Sequence, residues 1–325
     1  MPDSLNLPLY SRSPITIDYW NFPQDHSVQT PLFSELYGVY SKGFPHGARQ
    51  PSFFDRMFAL NRNQSVQSQW GPACYEIAYA RRQGKIVGTA MYIIIVAPRG
   101  GWPDSPYHAA VGIDYRSVLP EARGGGIAGG FETRAITRAA TWLEQSGRVR
   151  RANEALVFPF NEMSRPLAMP LGAFADDVRL AKINPFDRVN TWNKAGLLRV
   201  IPSPYIPNYI EPPSVDGDEE CHYYSFNVKT NGAPIGARTI EDVVLRYAAL
   251  RRMDGADPRQ DPAFRLMLAQ LRQKNNLTPV ADALDLHPFR EFADALLGLY
   301  PHAIPPEIAH YSLGSLIHSG YGSAH

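Results

Sequence analysis

Only two of the 325 residues are cysteines, Cys74 and Cys221, and they stand far apart. No disulfide framework and no metal-knuckle spacing can be built from them, and such sparse usage fits a reducing cytoplasm. A long apolar run is also missing. The most apolar stretch, IVGTAMYIIIVA from Ile86 to Ala97, falls short of the roughly 20 residues that a bilayer span needs. The first residues, MPDSLNLPLYSRSP, lack a basic start followed by an apolar segment, so no signal peptide is expected. Charge of one sign is scarce as well: a formal net charge of +1 argues against a broad nucleic-acid surface, although Arg148, Arg150 and Arg151 could hold a phosphate locally. No internal repeat and no low-complexity segment is visible. These absences lead to the expectation of a soluble, cytoplasmic protein without a membrane span.

What is present is enough for a packed core. Hydrophobic residues make up 44% of the chain and aromatics 11%, over a length suited to one large domain or two ordinary ones. Residues 1 to about 30 are polar and without a clear period, which predicts an arm packed on the domain. LFSELYGVYSKGF (Leu32 to Phe44) has helical spacing, and Ser52 is placed to cap a second short helix ending near Asn61. YEIAYARRQGKIVGTAMYIII reads as strand, turn, strand, and AAVGIDYRSVL as a third strand after a Gly/Pro loop. A helix follows with Phe131, Ala135, Ala139, Trp142 and Leu143 on its buried face and Gly147 at its stop. ALVFPF is a short strand, and NEMSRPLAMPLGAF predicts a cap and a helix disturbed by Pro166 and Pro170. Beyond Phe174 come a Pro-rich loop (PSPYIPNYIEPP), a strand CHYYSFNV and helical segments from Ile240 to the end.

Between the third strand and the long helix stands RGGGIAGG, Arg123 to Gly130, with five glycines in eight residues. Each would cost about 1 kcal/mol against alanine inside a helix, so bare backbone is needed here for another reason. Gly124, Gly126 and Gly129 satisfy G-x-G-x-x-G, but four residues, Pro120 to Arg123, separate them from the strand. A dinucleotide fold runs its strand straight into the first glycine, and no acidic residue for a ribose follows. The flavin or nicotinamide reading is therefore weak. Shifted by one, Arg123 to Ala128 fits R-x-x-G-x-A, and glycines there would let a pyrophosphate reach the free amides of a helix N-terminus.

The eleven residues VLPEARGGGIA resemble the acyl-CoA site of the GNAT superfamily of N-acetyltransferases, whose strand-loop-helix reads V-x-P-x-x-R-G-x-G-I-(G/A). A second element is similar to that family's N-x-x-(S/A) segment, with Asn161 and Ser164 in register. Two departures stand against it: the family's tyrosine position holds Ala168, and Ala173 is inserted between Gly172 and Phe174. The resemblance spans about residues 32–174. It implies an α/β fold with a mixed, mostly antiparallel twisted sheet flanked by helices, occupying residues 1–230, and a largely helical C-terminal extension over 231–325. It implies pyrophosphate on the amides of Gly124, Gly125, Gly126, Ile127 and Ala128, with Arg123 adding charge while its side chain packs. Pantetheine would lie along Ser117, Val118 and Leu119, with Asn161 and Ser164 as further cofactor contacts.

The activity implied is transfer of acetyl, or a longer acyl group, from acyl-CoA to a primary amine of a small molecule or peptide by direct attack, with no metal. An acyl-carrier-protein donor, as in N-acyl amino acid or homoserine-lactone synthases, is an alternative. A non-catalytic acyl-CoA sensor on the same fold is another, and a homodimer is left open. For the base, the residues on or near the strand are His108, Asp114 and Tyr115. Asp114 stands out because a carboxylate in an apolar strand needs a partner or a task. Strand alternation would place it on the face opposite Ile113 and Tyr115. An ion pair with an arginine is the competing explanation for Asp114, His108 also reads as a surface residue, and Tyr115 as core or substrate wall. Cys74 reads as an apolar filler rather than an acyl carrier. Ser164 lacks a nucleophile elbow. His302, His310, His318 and His325 lack ligand spacing, and the RRM and RVRR clusters read as solvated faces.

Overall fold

The computed structural model describes residues 5–7, 15–19, 28–44, 48–164, 166–180, 182, 184–194, 198–201, 209–211, 221–252, 257–273, 276–279 and 287–319. Its strands are β1 (Leu5–Leu7), β2 (Ile15–Tyr19), β3 (Ala73–Arg82), β4 (Lys85–Val96), β5 (Ala109–Val118), β6 (Val157–Ser164), β7 (Leu198–Ile201), β8 (Tyr209–Glu211), β9 (Cys221–Val228) and β10 (Asn276–Pro279). They form one sheet in the order β1-β2-β3-β4-β5-β6-β9-β7-β10, with β8 paired to β9 off this path. Every pairing is antiparallel except β5 with β6. The α/β class with a mixed, mostly antiparallel sheet is thus the fold of this chain.

Helices cover both faces. On one lie α1 (Pro31–Gly43), α2 (Pro51–Leu60) and α3 (Gln64–Trp70); on the other lies α4 (Ile127–Gln145). Alternation along β4 divides the two cores. Met91, Ile93 and Ile95 pack toward the α1 and α2 side, while Ala90, Tyr92 and Ile94 pack toward Phe131, Ala135 and Ala139 of α4. Further along the chain are α5 (Leu171–Arg179), α6 (Pro185–Lys194), α7 (Ala237–Arg252), α8 (Pro262–Gln273), α9 (His287–Leu299), α10 (Pro306–Ala309) and α11 (Leu313–His318). Phe174, Phe186, Leu296, Ile308 and Leu313 make a third, separate cluster joining α5, α6, α9, α10 and α11. Among the described residues no helix is long and apolar enough to cross a membrane.

Three local expectations change. The N-terminal arm contributes strands, because Ile15 and Ile17 alternate into the core while β2 pairs with β3. Ser52 is not a cap: Pro51 opens α2 and Gln50 precedes it without a side-chain bond. No helix starts at Asn161. Residues 160–164 continue β6, since β9 offers a full antiparallel partner, and the helix waits until Leu171, past both prolines. Most of the Pro-rich loop lies outside the described residues.

The expected boundary near residue 230 falls between β9 and α7, yet α7 buries Ile240, Val243, Val244 and Leu250 in the same core as β3 to β6. At about 1.5–3 kcal/mol for each such side chain, α7 is anchored in that core. Its start is fixed from the loop before β5. The Asp104 carboxylate accepts from the Arg238 amide (2.8 Å), the Thr239 amide (3.2 Å) and the Thr239 hydroxyl (2.6 Å). A Cβ on Gly236 would collide with that carboxylate. Trp102 Nε1 donates to Asp242 at 2.8 Å, and the buried Arg246 donates to the Val96 and Pro72 carbonyls. Asp104→Ala is expected to lower stability by about 1–2 kcal/mol, as loss of a helix cap does, read as an earlier urea midpoint with an unchanged slope. A midpoint equal to wild type would mean that the cap carries nothing.

Candidate active site

The site begins where two strands part. β5 and β6 pair only from Ala109–Val157 to Gly112–Phe160. Beyond that point β5 stays with β4 and β6 turns to β9, so among the described residues no ladder joins 113–118 to 161–164. Glycine is required at the fork. A Cβ on Gly112 would lie 2.5 Å from the Phe160 ring and 2.9 Å from Ile93. The ring therefore packs directly over Gly112, at the last pair before the strands part.

A β-bulge sits at the same place. Tyr92 pairs with Ile113 and Met91 with Tyr115, leaving Asp114 as the extra residue. This corrects the expected alternation. The bulge shifts the register by one, so Asp114 and Tyr115 both reach the α1 and α7 face. Past the bulge, Leu119 N–H bonds to the Val87 carbonyl of β4 at 2.9 Å. Ser117 and Leu119 thus direct their backbone toward β4, and alternation turns the backbone of Arg116 and Val118 toward the gap. Of the three residues expected to hold pantetheine, only Val118 turns its backbone to that side, its carbonyl accepting from Arg123 Nε, and Arg116 turns the same way.

On the α4 face of the gap, the chain leaves β5 through a single 3-10 turn (Pro120–Ala122) into the glycines. Gly124 (φ +79°) and Gly126 (φ +73°) adopt left-handed backbone, and a Cβ on Gly124 would meet nothing within 4 Å. Gly126 precedes α4 without a side-chain cap, and the first helical bond is Gly130 N–H to the Gly126 carbonyl at 2.9 Å. The amides of Ile127, Ala128 and Gly129 lie ahead of that bond, at the positive end of a helix of 19 residues. Arg123 braces the loop rather than the ligand space, donating to the Val118 (3.1 Å) and Lys182 (2.9 Å) carbonyls. Under the helix start lies Arg116, whose Nη1 donates to the Ala128 carbonyl at 3.2 Å. Burial pulls its pKa down to about 10, with Glu132 opposing. Asn161 is buried on this side and accepts from Asn227 Nδ2 at 3.1 Å. Ser164 is the last residue of β6, opposite Tyr224.

On the other face two carboxylates, one from each parting strand, meet a phenol and an arginine of α7. Tyr247 Oη donates to Asp114 Oδ1 at 2.8 Å and lies 3.4 Å from Glu162 Oε2. Arg251 Nη1 donates to Glu162 Oε2 at 2.9 Å, and its Nη2 lies 3.4 Å from Tyr115 Oη and 4.0 Å from Asp114. Side-chain exposure is 3% for Asp114 and 9% for both Glu162 and Arg251. Arg49, seated by the hydroxyls of Tyr37 and Tyr40, donates from Nε to Tyr115 Oη at 2.9 Å. Burial, and after it the Asp114 charge, push Tyr115 up to about 12. The wholly buried Tyr75 hydroxyl has no hydrogen-bond partner among the described residues, and burial followed by the Asp114 and Tyr115 charges raises its pKa well above the ordinary value.

Asp114 and Tyr115 are therefore brought together, and His108 is not. His108 precedes the paired end of β5, six residues or about 20 Å of strand from Asp114, and its Nδ1 accepts from the Leu156 amide at 3.0 Å. Arg251, from the RRM cluster read as solvated, is buried, because the helix turns it onto Glu162. In RVRR, Arg148 donates to the Ala97 carbonyl while Arg150 and Arg151 are exposed. Cys74 lies on the α4 face, where Glu76 is held by Tyr92 (2.9 Å) and Arg138 (2.9 Å). Burial, and then Glu76, push its thiol well up. Glu162, Tyr247, Arg251 and Arg49 were not singled out by the sequence. Glu162 follows directly on Asn161 in the motif, a signal that strand alternation could have used.

No family model matches the chain, and no curated protein does. Solved structures similar to it include a GNAT family acetyltransferase from Elizabethkingia anophelis with acetyl-CoA bound, at 15% identity over 66% of this chain and 97% of that one, TM-score 0.33. Chaetomium thermophilum Naa20 in complex with a bisubstrate analogue matches at 15% identity over 66% and 86%, TM-score 0.36. The ribosomal-protein-S18-alanine N-acetyltransferase of Escherichia coli matches at 12% over 66% and 92%, TM-score 0.31. Likeness at this level carries no functional argument of its own. What this chain itself possesses is a forked sheet, with helix amides on one face of the fork and a carboxylate pair on the other.

Proposed function

We propose that this chain is a CoA-dependent N-acyltransferase of the GNAT type, moving acetyl or a longer acyl group from acyl-CoA to a primary amine of a small molecule or peptide. The observation that carries this reading is the fork between β5 and β6, which joins a helix start with forward-facing amides to two carboxylates along a strand edge that is not laddered to β6. The donor set fits acyl-CoA. The amides of Gly124 to Gly129 would take the pyrophosphate, and the backbone of Arg116 and Val118 would bond pantetheine along the gap. The thioester would then arrive beside Asp114 and Glu162.

Direct attack needs a neutral amine. With an ordinary pKa near 10, that costs about 4 kcal/mol at pH 7, within the reach of one carboxylate acting through a water. Asp114, the bulge residue, is assigned that task. Tyr115 is neutral at pH 7 and serves as a wall. The raised Cys74 thiol, on the wrong face, leaves no role for an acyl-cysteine. One observation favours a second reading, an acyl-CoA sensor: α7 encloses both carboxylates.

Thiol release from acetyl-CoA, with glycine, spermidine and an unblocked alanyl peptide as acceptors, separates the two. Turnover with at least one acceptor is expected, and CoA binding without thiol release would support the sensor. In Asp114→Asn the rate is expected to fall by about 10²-fold or more, most steeply at low pH where free amine is scarce, with CoA affinity kept. A pH-rate profile unchanged from wild type would remove Asp114 from the chemistry.

A further inference from the structure

We propose that Tyr247, supplied by α7 from outside the strand-loop-helix segment, is the proton relay of this site, connecting Asp114 on β5 to Glu162 on β6. The proposal rests on the acyl-transfer reading above. Its basis is a matter of counting protons. A phenol has one O–H proton, and Tyr247 Oη has two carboxylates to serve, at 2.8 Å and 3.4 Å. The nearer one, Asp114, receives it. The ring is buried and fixed edge-on against Phe160, at 5.2 Å between centroids, so the oxygen stays over the fork while its proton can rotate.

The relay follows when Asp114 takes a proton from the attacking amine. The new carboxyl O–H donates to Tyr247 Oη, and the phenolic proton turns to Glu162 Oε2. Passing both protons one place along restores the Asp114 carboxylate, leaves the phenol neutral and protonates Glu162. One proton enters at β5 and one arrives at β6, and no bond between heavier atoms changes. Glu162 is then the group beside the gap that can return a proton to the leaving thiolate. Charged groups also face Tyr247: Arg251 Nη1 lies 3.5 Å from its oxygen and favours the Glu162 carboxylate, so a proton arriving on Glu162 is readily given up. Arg251 stacks its guanidinium over the Tyr247 ring at 5.3 Å and balances Glu162, while Tyr115 and Tyr75 are neutral at pH 7 and Arg49 is bonded to Tyr115.

The test is Tyr247→Phe in the full chain, which keeps the ring and removes only the hydroxyl. Acetyl-CoA and the same three amines are the probes. The expected result is a fall of at least tenfold in kcat with KM for acetyl-CoA unchanged. The solvent deuterium isotope effect should become smaller than in wild type, and the pH-rate profile should be altered. An unchanged kcat overturns the relay. So does a lower kcat with wild-type isotope effect and pH profile, which would mark the hydroxyl as merely structural. If wild type itself releases no thiol with any amine, the acyl-transfer reading fails and the relay with it. An active wild type with an equally active variant removes the relay alone.

Discussion

Arg251→Met is expected to lower stability by about 3–5 kcal/mol at neutral pH, the cost of leaving a buried carboxylate without its cation. Glu162 and Asp114 are nearly fully enclosed, and the Arg251 guanidinium reaches both. Methionine preserves much of the side-chain volume, so the deficit reports charge rather than a cavity. The sign of its pH dependence follows. In the variant, a buried carboxylate that has lost the Arg251 cation has its folded-state pKa raised, and where that lies above the unfolded value of about 4 the penalty is full at pH 7. That penalty should shrink as pH falls through the raised value, because a protonated carboxyl needs no cation. Adding Glu162→Gln to Arg251→Met should recover much of the loss. Denaturant midpoints of the two variants at pH 7 and pH 5 check both statements. A midpoint for Arg251→Met equal to wild type at pH 7 would show that the pair is not what holds α7 over the fork.

The second large effect is expected at the glycine loop. Gly126→Val should weaken CoA binding by 100-fold or more, about 2.7 kcal/mol, measured by calorimetry with CoA itself. At φ +73° a β-branched side chain is strained, and it would stand at the start of the helix whose first amides are proposed to take the pyrophosphate. Strain alone is a competing cause, and α4 provides its own control. Gly147, just past the other end of the same helix, has φ +69° with nothing within 4 Å of a Cβ. Gly147→Val should show a comparable loss of stability while binding CoA as wild type does. If Gly126→Val folds and keeps its CoA affinity, the pyrophosphate sits elsewhere.

Legibility in the sequence followed the range of the interactions. The β3-β4 hairpin, the third strand and the glycine start of α4 are fixed by neighbours a few residues away, and each was readable from turn chemistry and period. The continuation of β6 through Ser164 was not, since it depends on β9, about 60 residues later. The bulge is a one-residue shift between two apolar strands, and no side chain announces it. For that reason strand alternation sets Asp114 opposite Tyr115, whereas the bulge puts the two on one face. Arg251 was lost because an Arg-Arg-Met run looks solvated unless its partner is known. That partner, Glu162, lies 89 residues away on another element. Gly112 is a similar case: a lone glycine in a strand gains its meaning only from the Phe160 ring laid across it.

The fastening of α7 has a consequence for the order in which the molecule becomes whole. Its ties reach far back along the chain: 133 residues from Tyr247 to Asp114, 140 from Asp242 to Trp102 and 150 from Arg246 to Val96. Loop-closure entropy for such spans must be overcome before any of these bonds returns free energy, so contacts of this kind form late. During synthesis, β3 to β6 and α4 leave the ribosome well ahead of residue 237. Until α7 arrives, Asp114 and Glu162 stand open to water and without Arg251, and the fork has no cover. The glycine loop proposed to take the pyrophosphate is thus synthesised more than a hundred residues before the helix that covers the two carboxylates.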